Sequence, residues 1–378
     1  MIISIIMPAY NAATHIAEAI DSVIAQTYPQ WELWVIDDGS TDDTATIVQA
    51  YDDPRVRYVW QPNQERSAAR NNGLRRATGT YLTFLDSDDY WASSFIETHV
   101  QYLEAHPTID ITVSWAHEVN EAGDIARVMR PGFSADLSCE EAWRQFLYGN
   151  RFLMLSTVLR RSIATIEFDL NLRQAEDWDY WLRLVRNHRA HTIQVPNASY
   201  RRYDVYMPQR RLKRNSAESI AYILEKALAD SPPAERNDAL GYAYWDIAWL
   251  NYAMGEIEQG QAYLRQAHQL APQHFADDDA IVQRIAYFAD ELYDLHTPMV
   301  VATAHITRFF EQSPTELKIG RLLRPTLGFY AMLALFRANE RGDWHAVRTA
   351  GHLALQKQPT VFRNRGAASL YLKSFWRR

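Results

Sequence analysis

Tyr81-Leu82-Thr83-Phe84-Leu85 runs directly into Asp86-Ser87-Asp88-Asp89, and the reading of this stretch decides the fold. An apolar run of strand length ends in acids spaced i, i+2, so two carboxylates leave the strand end on one side. Hard oxygen donors placed there suit a divalent cation held beside a diphosphate. The same residues also make an ordinary polar turn, and taken alone they do not separate the two readings.

Their neighbours favour a site. Met7-Pro8-Ala9-Tyr10-Asn11 follows the strand-like Ile2 to Ile6, Ile36-Asp37-Asp38-Gly39-Ser40-Thr41-Asp42 follows Trp31 to Val35, and Ser67-Ala68-Ala69-Arg70-Asn71-Asn72-Gly73 comes further on. Three apolar runs thus end in polar turns able to hold a ligand. Open α/β sheets bind ligands beyond the carboxyl ends of their strands, so one shared crevice is expected. These stretches in this order, with Asp53-Pro54-Arg55-Val56-Arg57-Tyr58 and the later Gln174-Ala175-Glu176-Asp177-Trp178-Asp179-Tyr180-Trp181-Leu182-Arg183-Leu184, resemble the family 2 glycosyltransferases with the GT-A fold. The resemblance spans about residues 1 to 206.

What the resemblance implies is an α/β fold, a GT-A (Rossmann-like) mixed sheet domain, and inverting transfer of a sugar from a nucleotide-diphosphate donor to a hydroxyl of a glycan or lipid-linked acceptor in polysaccharide biosynthesis. It places the direct metal ligand at Asp88, with Asp86 serving the ribose or a metal-bound water, and implies Mn2+ or Mg2+ as cofactor. Pro8 and Tyr10 would shape the base pocket, Asp38 would accept from a base N–H, and Arg70 would reach the base or a phosphate. Asp37 fits a structural role at its turn, and core packing is the alternative for Tyr10.

Breaking the bond to a diphosphate calls for charge stabilisation on the leaving group, and an attacking hydroxyl needs a base. The resemblance singles out Asp177, the second acid of Glu176-Asp177, as that base. It opens a helix whose stripe Trp178, Trp181, Leu182 and Val185 faces a core. The plain alternative is an acid favoured at a helix N-terminus, a part open equally to Glu176 and Asp179. One base and a stabilised leaving group imply in-line displacement with inversion; no residue stands out as the nucleophile a double displacement requires.

Two departures from the family pattern stand out. The usual glycine-containing turn before Ala-Arg-Asn is here Gln64-Glu65-Arg66-Ser67, and the histidine that often follows the late Tyr-Arg is absent from Tyr200-Arg201-Arg202-Tyr203-Asp204. Tyr203 stands near its place and is a poor ligand for Mn2+ or Mg2+. His188 and His191 read as surface histidines.

With 378 residues and 47% hydrophobic content, the chain is long enough for two domains with real cores. Its apolar stretches are strand-length, and its start lacks signal-peptide features, so a site facing the cytoplasm is expected. The single cysteine, Cys139, excludes an internal disulfide and reads as a packing residue. The net charge of -7 hides an asymmetry: bases against acids number 22 and 28 over residues 1–215, 6 and 16 over 216–320, and 11 and 2 over 321–378. That basic end, closing in Leu370-Tyr371-Leu372-Lys373-Ser374-Phe375-Trp376-Arg377-Arg378, suggests peripheral contact with the inner face of a membrane. Attraction to the acidic segment before it is the alternative. No nucleic-acid-binding module accompanies it, so no nucleic acid partner is expected.

Residues 1–215 alternate strand and helix patterns, as βαβ units do. Ile16, Ala19, Ile20, Val23 and Ile24 predict a helix, Thr41 and Ser67 are candidate N-caps, and Ile109 to Trp115 predicts a strand. Arg201, Arg202, Arg210, Arg211, Lys213 and Arg214 mark a linker or an active-site flap. Residues 216–378 predict an all-α, tetratricopeptide-like domain, with a possible protein partner. Gly255-Glu256 to Pro272 and Gly342-Asp343 to Pro359 repeat one separation, and Tyr244, Ala248, Gly255, Leu264, Ala267 and Pro272 follow the repeat pattern. Two other functions compete: a nucleotidyltransferase, for which no glycine- and lysine-rich phosphate loop follows the first strand, and a catalytically silent nucleotide-sugar-binding protein carrying a helical scaffold.

Overall fold

Ile3–Ala9 forms strand β1, buried along its whole length, because layers cover both faces of a central parallel strand and apolar residues can then follow one another without alternation. Around it lie β2 (Trp31–Asp37), β3 (Val56–Trp60), β4 (Tyr81–Phe84), β5 (Tyr90–Trp91), β6 (Ile111–Val119), β7 (Ile125–Met129), β8 (Thr157–Arg160) and β9 (Ala190–Arg201). The sheet order is β3-β2-β1-β4-β8-β6-β9-β5, with β7 paired to β6. β1 runs parallel to β2 and β4, and β2 to β3, whereas β8 is antiparallel to both β4 and β6. This is the mixed sheet expected from the sequence. Ala9 pairs with Asp37 and Ile6 with Phe84, which brings the turns after β1, β2 and β4 to one edge.

The computed structural model describes residues 1–133, 136–202, 217–292, 299–340 and 342–375. Tyr203, Arg210, Arg211, Lys213, Arg214, Trp376, Arg377 and Arg378, all weighed above, lie outside the described residues. The chain divides into two units, Met1–Tyr203 and Asp204–Arg378.

In the first unit, helix α1 (Ile16–Ile24) buries Ile16, Ala19, Ile20 and Val23 as its spacing predicts, whereas Ile24, at its last turn, is exposed. The expected N-caps differ. Asp43 precedes α2 (Thr44–Gln49), while Gln64 precedes α3 (Glu65–Arg76) and Ser67 lies inside it, buried. The helix starts two residues before Ser67, and its first residue, Glu65, has a φ of +70°. At Gly73 a Cβ would meet Ile6 Cγ2 at 2.4 Å, so α3 lies on β1 through a glycine, with Arg70 one turn earlier on the helix. The strand expected at Ile109–Trp115 begins at Ile111 and reaches Val119, extended by its pairing with β7 and β9. Helix α4 (Phe95–Ala105) follows β5, and α5 (Cys139–Phe146) begins with a Ser138–Glu141 capping box. Cys139 is partly exposed at the first turn of α5. Helix α6 (Glu176–Val185) buries Trp178, Trp181, Leu182 and Val185, and Phe84 of β4 packs edge-on against its Tyr180 and Trp181 at 6.0 and 6.3 Å.

The second unit contains helices α7 (Ala217–Ala227), α8 (Pro233–Met254), α9 (Ile257–Leu270), α10 (Asp278–Leu292), α11 (Met299–Glu311), α12 (Leu323–Glu340), α13 (Trp344–Lys357) and α14 (Arg365–Lys373). Its core gathers Trp245, Trp249, Tyr252, Ile285, Ile306 and Phe309. Gly255, at φ +84°, ends α8, and Gly342, at φ +72°, stands in the turn before α13; a left-handed turn of this kind suits glycine. The repeat extends further than these turns. A Cβ on Gly241 would lie 2.4 Å from Ala271 Cβ, and one on Gly328 2.4 Å from Gln358 Cβ. Both pairs follow the same offset that relates Gly255 to Gly342, so α8–α9 and α12–α13 are two hairpins closed by the same glycine contact.

Candidate functional site

The turns after β1 and β2 are laced together. Asp38 N donates to Ala9 O at 2.8 Å, Thr41 N to Asn11 Oδ1 at 2.8 Å, and Asn11 N to Ser40 Oγ at 3.0 Å. Gly39 has a φ of +81°, and a Cβ there would sit 2.9 Å from Asn63 N, which leaves room for glycine alone. Asp37 is buried and accepts from Ser40 N at 2.8 Å and Tyr58 Oη at 2.6 Å. Burial, together with that hydrogen bond to a carboxylate, pushes the Tyr58 phenol well above its ordinary range. Asp38 is buried as well, and its Oδ1 accepts from Gln61 Nε2 at 2.7 Å and Gln64 N at 3.0 Å. Pro8 is buried in β1, and Tyr10, just past its end, is 54% exposed.

The turn after β4 is held from two sides. Arg70 is 2% exposed, and its Nη2 donates to Asp86 Oδ1 at 2.8 Å while Nη1 donates to Glu176 Oε1 at 2.9 Å. Burial opposes the charge on Arg70, but Asp86 and Glu176 outweigh it and raise its proton affinity. The expected reach of Arg70 toward a base or phosphate therefore meets a different arrangement: both terminal nitrogens are engaged by carboxylates, and the side chain orients Asp86. Arg66, half-exposed on the same helix, stands 3.6 Å from the shared Glu176 oxygen. Asp89 is buried and its Oδ1 accepts from Arg201 N at 2.7 Å. The Arg201 guanidinium then donates to Asp88 O at 3.0 Å and Glu121 O at 2.6 Å. Arg201, expected in a linker or flap, is instead a buried residue ending β9 that grips this turn.

Asp177 sits half-buried at the second position of α6, after Ala175 in the left-handed region at φ +58°. Its Oδ1 accepts from Trp178 N at 2.8 Å and its Oδ2 from Asn150 Nδ2 at 2.9 Å. The three acids of this helix start divide their tasks: Glu176 binds Arg70, Asp179 pairs with Arg183 at 2.6 Å, and Asp177 faces the loop that carries Asn150. His188 and His191 lie against Asp110 and Asp136 at the surface, apart from these contacts.

Asp86 and Asp88 present hard oxygen donors of the kind that Mn2+ and Mg2+ take, usually one or two carboxylates completed by substrate phosphates. The donor set fits such an ion. Among the described residues no group of three or more His, Cys, Asp or Glu is placed to hold a metal by itself. Sequence reasoning missed Asn150, the Glu176 partner of Arg70, and the grip of Arg201. Only Glu176, inside the quoted motif, carried a signal that could have been followed.

The family model for glycosyl transferase family 2 matches residues 4–165. A Haemophilus influenzae protein described as an uncharacterized glycosyltransferase is 35% identical over 185 residues, covering 48% of this chain and 70% of that protein. The Escherichia coli UDP-Glc:alpha-D-GlcNAc-diphosphoundecaprenol beta-1,3-glucosyltransferase WfgD is 29% identical over 193 residues, covering 51% of this chain and 73% of its own. The chain spans 30% of the length of two longer relatives, from Rickettsia felis and Rickettsia conorii. Among solved structures, Staphylococcus aureus TarS 1–349 in complex with UDP-GlcNAc superposes with a TM-score of 0.51 over 95% of this chain and 93% of that one, at 18% identity. That likeness concerns the fold: a mixed-sheet unit followed by helices.

Proposed function

Because this chain belongs to glycosyltransferase family 2, we propose that it moves a sugar from a nucleotide-diphosphate donor to a hydroxyl of a glycan or lipid-linked acceptor, with inversion. The observation that carries this reading is Arg70. Its two nitrogens join Asp86, at the donor-side turn, to Glu176, the immediate neighbour of Asp177. The two ends of an in-line displacement, leaving group and base, thus belong to one charge network.

In this reading Pro8, Tyr10 and Asp38 border the base of the donor, with Asp38 offering an acceptor from a carboxylate already oriented by Gln61 and Gln64. Asp88, with Asp86 beside it, would hold Mn2+ or Mg2+. When bound, that ion supplies charge stabilisation to the departing diphosphate. Arg70 aims Asp86, and Arg201 fixes the carbonyl of Asp88. Asp177 takes the proton of the acceptor hydroxyl as the new glycosidic bond forms on the face opposite the leaving group.

A uridine diphosphate donor and a lipid-diphosphate-linked acceptor are the first candidates, supported by the printed activity of WfgD. The catalytic domain is taken as residues 1–215 and the helical, tetratricopeptide-like domain as 216–378; the repeated hairpins support a scaffold that positions acceptor or protein partner. A cytoplasmic location with peripheral membrane contact agrees with Leu372 and Phe375, 63% and 53% exposed beside Lys373. No described helix is long and apolar enough to cross a membrane.

The test is Asp177→Asn assayed with UDP-glucose and UDP-N-acetylglucosamine. The amide keeps the shape and removes the proton acceptor, so turnover should fall about a hundredfold or more while calorimetric donor binding persists. Near-wild-type turnover would return Asp177 to helix capping.

A further inference from the structure

Asn150 stands out as an exposed side chain braced at both ends of its amide. It is exposed, its Oδ1 accepts from Phe152 N at 3.1 Å, and its Nδ2 donates to Asp177 Oδ2 at 2.9 Å. Both ends of the amide are therefore occupied, which fixes its orientation. The loop that carries it turns at Gly149, where φ is +136°, a conformation that favours glycine. Immediately afterward Phe152 enters an aromatic cluster, 4.8 Å edge-on to Phe146 and 5.8 Å from Trp181 of α6. The indole of Trp178 donates to Phe146 O at 2.7 Å. The loop after α5 and the start of α6 are thus bolted together on both sides of Asn150.

We propose that Asn150 is the positioning residue of the base. This rests on the reading of Asp177 given above. A carboxylate has about four lone-pair sites. Trp178 N takes one on Oδ1 and Asn150 takes one on Oδ2, which stops rotation of the group. The carboxylate is thereby held at one angle to the loop, the angle at which an acceptor hydroxyl would meet it. Asn150 itself exchanges no proton and touches no reacting atom; its effect passes entirely through Asp177.

The experiment compares Asn150→Ala and Asn150→Asp with the parent enzyme, using UDP release from UDP-glucose with Mn2+ between about pH 5 and 9, the span in which a perturbed carboxyl base titrates. The expected result for Asn150→Ala is a kcat lower by about tenfold or more, with unchanged donor KM and unchanged thermal unfolding. Asn150→Asp places a like charge against Asp177, so the acid limb of the profile moves to higher pH. A residue that merely stabilises the loop would shift the unfolding temperature and leave the profile in place.

Carboxyl 13C titration, with Asp177→Asn identifying the resonance, reads the same coupling without substrate. Asn150→Asp should raise the Asp177 midpoint by about one pH unit or more, the usual scale for adjacent carboxylates. An unmoved midpoint, or parental kcat and pH profile in both variants, overturns the proposal. In the Asp177→Asn background, Asn150→Ala should cost nothing further, and an additional full-sized loss also overturns it. If Asp177→Asn alone keeps parental turnover, it is the assignment of the base that fails, whatever Asn150 does.

Discussion

Arg70 donates to Glu176 across 2.9 Å with both side chains withdrawn from solvent, so an arginine on α3 and a glutamate on α6 share one buried ion pair. Removing one partner leaves the other charge buried and unsatisfied, typically at a cost of about 3–5 kcal/mol. Asp86 still pairs with Arg70, so Glu176→Ala should fall at the low end of that range, about 3 kcal/mol. Denaturant titration reads it; a loss too small to separate from the parent protein would mean that the pair is solvated.

The same network bears on the metal. Asp86 and Asp88 repel a diphosphate unless a cation intervenes, so UDP should bind at least about tenfold more weakly in EDTA than with Mn2+. Asp88→Asn should abolish that difference, whereas Asn in place of the neighbouring buried Asp89 should instead loosen the turn by weakening its hold on Arg201 N. Calorimetry with and without the ion measures both. Equal affinity in EDTA sinks the metal role.

Glu65 occupies the left-handed region at φ +70°, where a side chain costs about 1–2 kcal/mol. It falls in the turn where the family pattern usually has glycine. Glu65→Gly should therefore raise stability by about 1 kcal/mol in thermal unfolding, gaining from relief of the φ and losing part of it to glycine's larger unfolded-state entropy. A lower melting temperature would show that the Glu65 side chain makes a stabilising contact outweighing its backbone.

In the helical unit, Gly241→Ala gains about 1 kcal/mol of helix propensity but drives a methyl against Ala271 Cβ at 2.4 Å. Overpacking of this kind costs about 1–3 kcal/mol, and neither methyl can rotate away, so the variant should unfold more easily. The double variant Gly241→Ala, Ala271→Gly should recover most of the loss. Failure to recover would place the strain elsewhere in the hairpin.

The parallel half of the sheet and α1 were legible because their signals are local: a strand ending in acids, or five apolar residues on one helix face. So was the glycine-marked repeat, although its closing contacts at Gly241 and Gly328 only become meaningful once the helices are side by side. The antiparallel β8 was not legible, since Thr157–Arg160 is short and its pairing with β4 lies far away in sequence. Arg201 was misread for the same reason. Among five neighbouring basic residues it looks solvated, and only the fold brings it to Asp88 and Asp89. Arg70 was found in the motif but assigned to the ligand, because sequence does not reveal that two carboxylates already hold it.

β9 lies between β6 and β5 in the sheet although it is last in chain order, and from its final residue Arg201 reaches back to Glu18 across 183 positions. During synthesis, therefore, most of the sheet has left the ribosome before its penultimate place in the row can be filled. Until then β5 lacks its partner strand β9 and the acidic turn lacks its clasp. Nascent chains expose unpaired edges in this interval. Completion of the acidic turn after β4 is thus timed to the emergence of residue 201, when the first unit has all its strands and the helical unit has yet to appear.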